Sequence, residues 1–261
     1  LHYTAPGPPL VKTLLAAAAV LVPLAALVLS GSFARAVAVV GLVFLTVLLW
    51  FEWLPPQQNA DWQTDVAELP SATLEGDMLT IRNVRNFDYT TETDYTPHWE
   101  TRTYDLAKLD GLDMFFSYWA GPSIAHTIMS WSFSDGQHLA ISIETRKTKG
   151  QEYSAVAGFF RQYPIYYVVA DERDVIRLRT NYRGEHVWLY HLKAPPERAR
   201  KLLLDYVASI NELAEQPEWY NALTDNCTTS IRRHVQHHGP VRRPAHARIG
   251  DAHHVLHALL Q

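Results

Sequence analysis

The only cysteine in the chain, Cys227, is the side chain best suited to nucleophilic chemistry. Asp225 and Asn226, both favoured N-cap residues, come directly before it, which places Cys227 in the first turn of a helix. Unpaired backbone N–H groups and the helix dipole at such a position stabilise a thiolate. A lone cysteine is also often a small buried side chain, so its position leaves a catalytic and a structural interpretation open.

A thiolate nucleophile requires an imidazole within hydrogen-bonding reach, and the imidazole requires an acceptor that orients it. Of 13 histidines, His126 is the best candidate, because it begins a β-rich segment shortly after Gly121-Pro122. An ordinary histidine at a strand end is the alternative. We expect the histidines of the Pro- and Arg-rich C-terminal region to be solvated: His234, His237, His238, His246, His253, His254 and His257. Their spacing matches no zinc signature, so we expect no metal site and no cofactor.

The acceptor predicted for His126 is Glu144, and its position depends on one turn. The segments 126–133 and 138–144 flank Ser134-Asp135-Gly136, a pattern typical of a β-hairpin. If the turn has three residues with Gly136 in the left-handed region, facing residue numbers sum to 270 and His126 lies opposite Glu144. A two-residue turn would move Glu144 to the other face and leave His138 as the alternative acceptor.

Three further residues are predicted to bind substrate. Ser142 and Arg146 share the predicted strand face of Glu144, and the guanidinium of Arg146 suits a phosphate group. Asn226 lies at the predicted helix start beside Cys227. The alternative for Glu144 and Arg146 is an ordinary solvated charge pair on the polar face of a strand.

The elements around these residues predict an α+β fold with an antiparallel sheet. We expect strands over 78–84, 106–118 (with a turn around Asp110-Gly111), 126–133, 138–144, 164–170, 175–180 and 186–192. A helix should begin at Pro195-Pro196 and end before Pro217, with Leu202, Leu203, Tyr206, Val207, Ile210 and Leu213 on its buried face. A second helix should begin near Asp225-Asn226.

Two uncharged segments, 13–34 and 36–51, predict a transmembrane hairpin. The first meets the roughly 20 residues needed to span a bilayer, and the second meets them if it extends through Glu52, Trp53 and Leu54. We expect helices at about 10–29 and 36–54. The alternative is a signal peptide, since Ser32-Phe33-Ala34 resembles a cleavage site. The remaining organisation is a linker over 55–77, a catalytic domain over 78–238 and a His-rich tail over 239–261.

Composition excludes several classes of protein. The net charge of −4 gives no electrostatic reason to expect nucleic-acid binding. A single cysteine excludes an internal disulfide framework and a CxxC motif. The 261 residues, 48% of them hydrophobic, are enough for a sizeable core beyond the hairpin.

Several segments, taken in order, resemble the Lnb N-terminal periplasmic domain family. They are Ala120-Gly121-Pro122 with His126, Ser142-Ile143-Glu144-Thr145-Arg146, 163–169, 174–180, and Tyr220-Asn221 with Asn226-Cys227-Thr228-Thr229. The patterns Asn-Cys-Thr-Thr and Ser-x-Glu-x-Arg are the most diagnostic. The resemblance covers about 79–235. His126 and Cys227 match the family's histidine and cysteine, and Glu144 matches its motif.

What the resemblance implies is a bacterial envelope enzyme with a permuted papain-like fold, similar to lecithin–retinol acyltransferase and NlpC-type domains. It would sit in the inner membrane with its soluble domain in the periplasm. It would transfer a fatty acyl chain from a phospholipid, through a cysteine thioester, to the N-terminal amine of a lipoprotein. The alternatives are a cysteine amidase or peptidase acting on cell-wall peptide, and a membrane-tethered binding module without activity. A metal hydrolase is the weakest, because the ligand spacing is absent.

Overall fold

The computed structural model describes residues 7–119, 121, 125–221, 224 and 227–236. In the last helix, only the backbone is described for residues 227, 228, 233, 235 and 236. The predicted N-cap pair, Asp225 and Asn226, lies outside the described residues.

Two apolar helices open the chain and pack against each other: α1 is Pro9–Leu29 and α2 is Phe33–Glu52. Their bounds lie within a few residues of the predicted spans. A helix of 20 residues is about 30 Å long, which matches the hydrocarbon core of a bilayer. Pro23 lies inside α1 without ending it, as membrane helices tolerate. Both helices are long and apolar enough to cross a membrane.

The folded domain is built on one sheet that has eight strands within the described residues. They are β1 (Ser71–Glu75), β2 (Met78–Arg85), β5 (Trp99–Asp105), β6 (Leu109–Tyr118), β7 (Ala125–Phe133), β8 (His138–Thr145), β9 (Ile165–Ala170) and β10 (His186–His191). Their order in the sheet is β1-β2-β9-β8-β7-β6-β10, with β5 also paired to β2, and the pairs are antiparallel except for β2 with β9. A small separate ladder joins β3 (Asp88–Tyr89) and β4 (Tyr95–Thr96). The predicted α+β class is therefore confirmed.

Each face of the sheet has its own core. One face packs under α4 (Pro196–Glu215), and the indole of Trp131 on β7 donates to the Ala199 carbonyl at 2.9 Å. The buried face of α4 carries the six predicted residues, Leu202, Leu203, Tyr206, Val207, Ile210 and Leu213. The other face carries Ile128, Ala140 and Val168 and packs with Val175. Strand alternation separates the two sets, so the buried apolar side chains of β7 and β8 divide between the two cores.

The predicted strand over 175–180 is wrong. This segment forms α3 (Glu172–Arg177) followed by a π-helical turn, Leu178–Tyr182. Asp171 caps α3 by accepting from the Arg173 N–H at 2.9 Å, and the buried positions Val175, Leu178 and Arg179 recur with helical spacing. The fully buried Asp174 pairs with Arg85 on β2 at 2.8 Å, and this pair ties the helix to the sheet.

Two boundaries also differ from expectation. Residues 71–75, within the predicted linker, form β1, and Val66 before them is buried, so the sheet begins ahead of residue 78. The turn expected at Asp110-Gly111 is instead an irregularity within β6. Gly111 lets β7 approach closely at this irregularity, because a Cβ there would overlap the Ser132 hydroxyl on β7.

The end of α2 is attached to the folded domain. The Arg161 guanidinium donates to the Phe51 carbonyl, to the Glu52 carbonyl at 2.9 Å and to the Glu52 carboxylate at 2.7 Å. The Trp219 indole N–H donates to the Leu54 carbonyl at 2.8 Å. These contacts occupy carbonyl groups that the helix end leaves without an intrahelical partner, so they set where the domain meets the second apolar helix.

Candidate active site

The β7–β8 hairpin has the register that brings His126 and Glu144 to the same face. Ile128 pairs with Ser142 and Ser132 with His138, so facing residue numbers sum to 270. Gly136 has φ +84° and its N–H donates to the Phe133 carbonyl, as the three-residue turn requires. The alternative acceptor His138 is excluded, because six residues of strand place it about 20 Å from His126.

His126, Glu144 and Ser142 form one compact cluster. The His126 Nε2 atom lies 3.0 Å from a Glu144 carboxylate oxygen and 2.6 Å from the Ser142 hydroxyl oxygen. The Ser142 hydroxyl donates to the same Glu144 oxygen at 2.8 Å. Because the ionised carboxylate only accepts, Nε2 carries the proton, and in a neutral imidazole Nδ1 is then the basic nitrogen. The cluster therefore orients His126 to act as a base through Nδ1.

Ser142 was predicted to bind substrate, and the structure buries it completely. Its hydroxyl lies between His126 and Glu144, where it helps to hold the imidazole. Its geometry therefore favours a positioning role.

Arg179 is a member of the site that the sequence did not identify. Its guanidinium donates to Glu144 at 2.7 Å and lies 3.3 Å from the Glu185 carboxylate, which also accepts from the Ser117 hydroxyl. Ser117 pairs with His126 across β6 and β7, so this network covers the same sheet face. Residues 174–180 were part of the family resemblance, but an expected strand at 175–180 gave no reason to bring Arg179 to Glu144.

The electrostatics of this network keep Glu144 ionised. Its burial against the sheet would by itself raise the carboxyl pKa. The charges of His126 and Arg179 and the hydrogen bonds from His126 and Ser142 outweigh that effect and hold the pKa of Glu144 well below its ordinary value. The carboxylate is therefore charged throughout the neutral range, and it loses its charge only as the pH falls through this lowered pKa.

Helix α5 is Cys227–Gln236, so Cys227 lies in its first described turn, where the sequence predicts it. Shortly before it, the Tyr220 N–H donates to the Tyr163 carbonyl and Trp219 bridges to Pro164, next to the start of β9. That end of the sheet is also where β7 begins and β8 ends, so the chain enters α5 from the end that carries His126 and Glu144. The side chain of Cys227 and all of Asn226 lie outside the described residues.

Burial of His234 on α5 corrects the expectation of a solvated histidine. It is 8% exposed, its Nε2 lies 2.9 Å from the Tyr167 hydroxyl, and its ring packs on Tyr206 with centroids 4.3 Å apart. With the buried Ile231 one turn earlier, it fixes α5 on the α4 face of the sheet. The other six C-terminal histidines lie outside the described residues.

Arg146 is engaged with the backbone of the segment before β1. Its guanidinium donates to the carbonyls of Val66 at 3.0 Å and Ala67 at 2.6 Å and lies 4.3 Å from the centroid of the Trp62 ring. These contacts give Arg146 a structural function, and its predicted part in substrate binding stays a prediction. Among the described residues, no group of three or more His, Cys, Asp or Glu side chains is placed to hold a metal ion.

Replacing Glu144 tests the orientation of His126. In Glu144→Gln the negative charge is lost, and the hydrogen bonds that one carboxylate oxygen accepts from His126, Ser142 and Arg179 then end on a neutral amide oxygen, which accepts them more weakly. We expect thioester formation on Cys227 to slow by about a hundredfold, with the fold retained. The matched control is Glu172→Gln, since Glu172 also accepts from a serine, Ser130, and lies 3.5 Å from His138 on the same sheet. Equal rates of thioester formation in Glu144→Gln and Glu172→Gln would contradict a role for Glu144 in orienting His126.

Comparison with known proteins finds a match to one protein family. The model of the Lnb N-terminal periplasmic domain matches residues 95–257 of this chain. The match includes His126, Glu144, Arg179 and Cys227. A search of curated proteins finds no match, and a search of solved structures finds none.

Proposed function

The chain belongs to the family of the Lnb N-terminal periplasmic domain, and from that premise we propose that it is a membrane-anchored cysteine acyltransferase. The family and the two apolar helices make it an inner-membrane protein with a periplasmic domain. In the proposed reaction, a phospholipid donates a fatty acyl chain and the N-terminal amine of a lipoprotein accepts it.

One observation carries the proposal: a buried imidazole is held by an ionised carboxylate at the sheet end from which the cysteine helix starts. The distances of 3.0 Å from His126 to Glu144 and 2.7 Å from Glu144 to Arg179 describe a base and its orienting acceptor. A solvated charge pair would not bury an arginine between two glutamates.

In the first half-reaction, His126 Nδ1 takes the proton of the Cys227 thiol, and the thiolate attacks the ester carbonyl carbon of the phospholipid. The sulfur–carbon bond forms, and backbone N–H groups at the start of α5 stabilise the oxyanion. When the ester carbon–oxygen bond breaks, the leaving lysophospholipid oxygen takes the proton from His126. The product is a thioester on Cys227 and a neutral imidazole.

In the second half-reaction, the lipoprotein amine attacks the thioester carbon. The nitrogen–carbon bond forms and the carbon–sulfur bond breaks. His126 accepts the proton of the amine and returns a proton to the departing thiolate. The enzyme is regenerated and the acceptor carries an amide. Glu144 and Arg179 hold the imidazole in one orientation through both steps.

The proposal is tested by intact-protein mass spectrometry of the full chain after incubation with phospholipid vesicles. We expect a fatty-acyl-sized adduct that hydroxylamine removes in the wild type, and no adduct in Cys227→Ala. If the wild-type protein is folded and its thiol stays unmodified, the acyltransferase proposal fails. Cleavage of a cell-wall peptide by that same preparation would then establish the amidase alternative.

A further inference from the structure

Five large apolar side chains form an exposed patch beside the start of β9. The apolar patch consists of Trp119, Tyr153, Val156, Phe159 and Phe160, which are between 39% and 57% exposed. Residues 153–160 contain no charged side chain. The ring centroids of Trp119 and Tyr153 are 6.2 Å apart, so the two segments form one surface. An exposed apolar surface of this kind marks a site that contacts a membrane, a protein or a ligand.

The apolar patch is continuous with the membrane anchor. Arg161 follows Phe160 directly, and its guanidinium binds the last turn of α2 and lies 4.6 Å from the centroid of the Phe51 ring. Arg161 itself has φ +51°, a left-handed conformation that a non-glycine residue adopts only when its surroundings hold it there. The loop that carries residues 153–160 is therefore bound to the end of α2, where that helix would leave the hydrocarbon core.

The same end of the sheet carries the candidate active site. Trp119 follows the last residue of β6, and Ser117 near that end pairs with His126 on β7. On the other side, Tyr163 ends the loop, and its hydroxyl both accepts from the Ser154 N–H and donates to the Glu152 carbonyl. The patch, the α2 junction and the His126–Glu144 cluster thus lie at one end of one sheet.

We propose that the apolar patch inserts into the interfacial region of the phospholipid bilayer and holds the His126 end of the domain against the lipid headgroups. Aromatic rings beside a spanning helix belong in this zone, because their apolar parts enter the bilayer while their polar atoms meet the headgroups. Arg161 suits the same boundary, since its guanidinium pairs with Glu52 and lies over the Phe51 ring. The partner that covers the apolar patch is lipid, because α1 and α2 hold this end of the domain at the bilayer surface.

The proposal is tested by the depth of a fluorescent label in the full chain. In a Cys227→Ala background, Val156→Cys is labelled with an environment-sensitive fluorophore and reconstituted in vesicles of phosphatidylethanolamine and phosphatidylglycerol. Part of the lipid carries a doxyl quencher near the headgroup. We expect blue-shifted emission and strong quenching. The control is Ser134→Cys, in the β7–β8 turn at the opposite end of the sheet, for which we expect neither change.

Two results would overturn the proposal. Emission at residue 156 that matches residue 134 would place the apolar patch in water. Blue-shifted emission without quenching would show that protein covers it, either another part of this chain or a second molecule. Because Cys227 is already replaced, this measurement involves no catalysis and stands or falls separately from the proposed function.

A second measurement, which rests on the proposed function, relates insertion to catalysis. With Cys227 present, we expect Val156→Asp/Phe159→Asp to lose the acyl adduct from vesicles and to keep the adduct from a water-soluble short-chain ester. Equal loss on both donors would show damage to the domain and contradict a role in reaching lipid. Equal retention on both would contradict insertion as a requirement for reaction.

Discussion

Replacing Cys227 with serine is expected to leave the domain folded and to lower acyl transfer by about a thousandfold or more. A serine hydroxyl holds its proton far more tightly than a thiol, so the oxygen is a weaker nucleophile than the sulfur when both depend on the same neutral His126. The thioester adduct that hydroxylamine removes should disappear, while the melting temperature of the full chain in detergent should change little. The measurement is adduct formation by mass spectrometry beside thermal unfolding.

The control for this variant is Arg232→Ala on the same helix, because Arg232 is exposed on α5. It should retain the wild-type rate. A Cys227→Ser protein with wild-type activity would remove the nucleophile from the proposed mechanism. A variant that fails to fold would instead support the structural interpretation of a lone buried cysteine.

Removing the buried guanidinium of Arg179 is expected to have the largest effect on stability. Its side chain is 7% exposed and lies between Glu144 and Glu185, so Arg179→Met removes the arginine that both carboxylates share and leaves Arg183, 3.8 Å from Glu185, as the remaining arginine contact. We expect the free energy of unfolding to fall by about 3–5 kcal/mol, as when one partner of a buried ion pair is removed. The measurement is unfolding of the full chain in detergent at neutral and acidic pH.

The pH dependence of this loss has a defined sign. The pKa of Glu144 is lowered in the folded protein, so its contribution to stability is complete above the ordinary carboxyl pKa and is lost as the pH falls through the lowered value. The difference between wild type and Arg179→Met should therefore be greatest at neutral pH and shrink in acid. A difference that grows in acid would contradict the charge assignment.

Two further variants separate charge from packing. Lys149→Met removes an exposed cation that pairs with Asp61 at 2.7 Å, and it should cost about 1 kcal/mol or less. Arg179→Met combined with Glu185→Gln should recover part of the loss, because one of the two facing charges is then gone. An equal loss in the single and double variants would show that the methylene packing of Arg179, and not its charge, accounts for the effect.

Local patterns in the sequence were enough to predict the hairpin and the helices around the site. The turn Ser134-Asp135-Gly136 specifies the register that brings His126 and Glu144 together, since strand alternation then settles the face of every residue. The helix at Pro196 follows from its apolar spacing and its proline start. Both predictions rest on information contained within about 20 residues, the scale on which propensity and periodicity operate.

The parts that could not be predicted depend on contacts distant in sequence. The composition of segment 175–180 favours a strand. In the structure the segment is helical, and Asp174 beside it pairs with Arg85, which lies 89 residues earlier in the chain. The same helix delivers Arg179 to Glu144, so the missed helix and the missed site residue have one cause. His234 was assigned to a solvated tail by its neighbours in the chain, whereas Tyr167 and Tyr206 determine its burial.

The turn at Gly136 lies at the sheet end opposite the His126–Glu144 cluster, and it nevertheless determines whether that cluster exists. Surface loops usually accept insertions and deletions, because nothing buried depends on their length. Here the insertion or deletion of one residue in the turn would shift the register of β8 against β7 and place Glu144 on the α4 face of the sheet. The turn residues themselves would remain exposed to solvent. The length of this exposed loop thus determines whether His126 and Glu144 share a face, and we expect a natural variant with a longer or shorter loop to lose the His126–Glu144 contact.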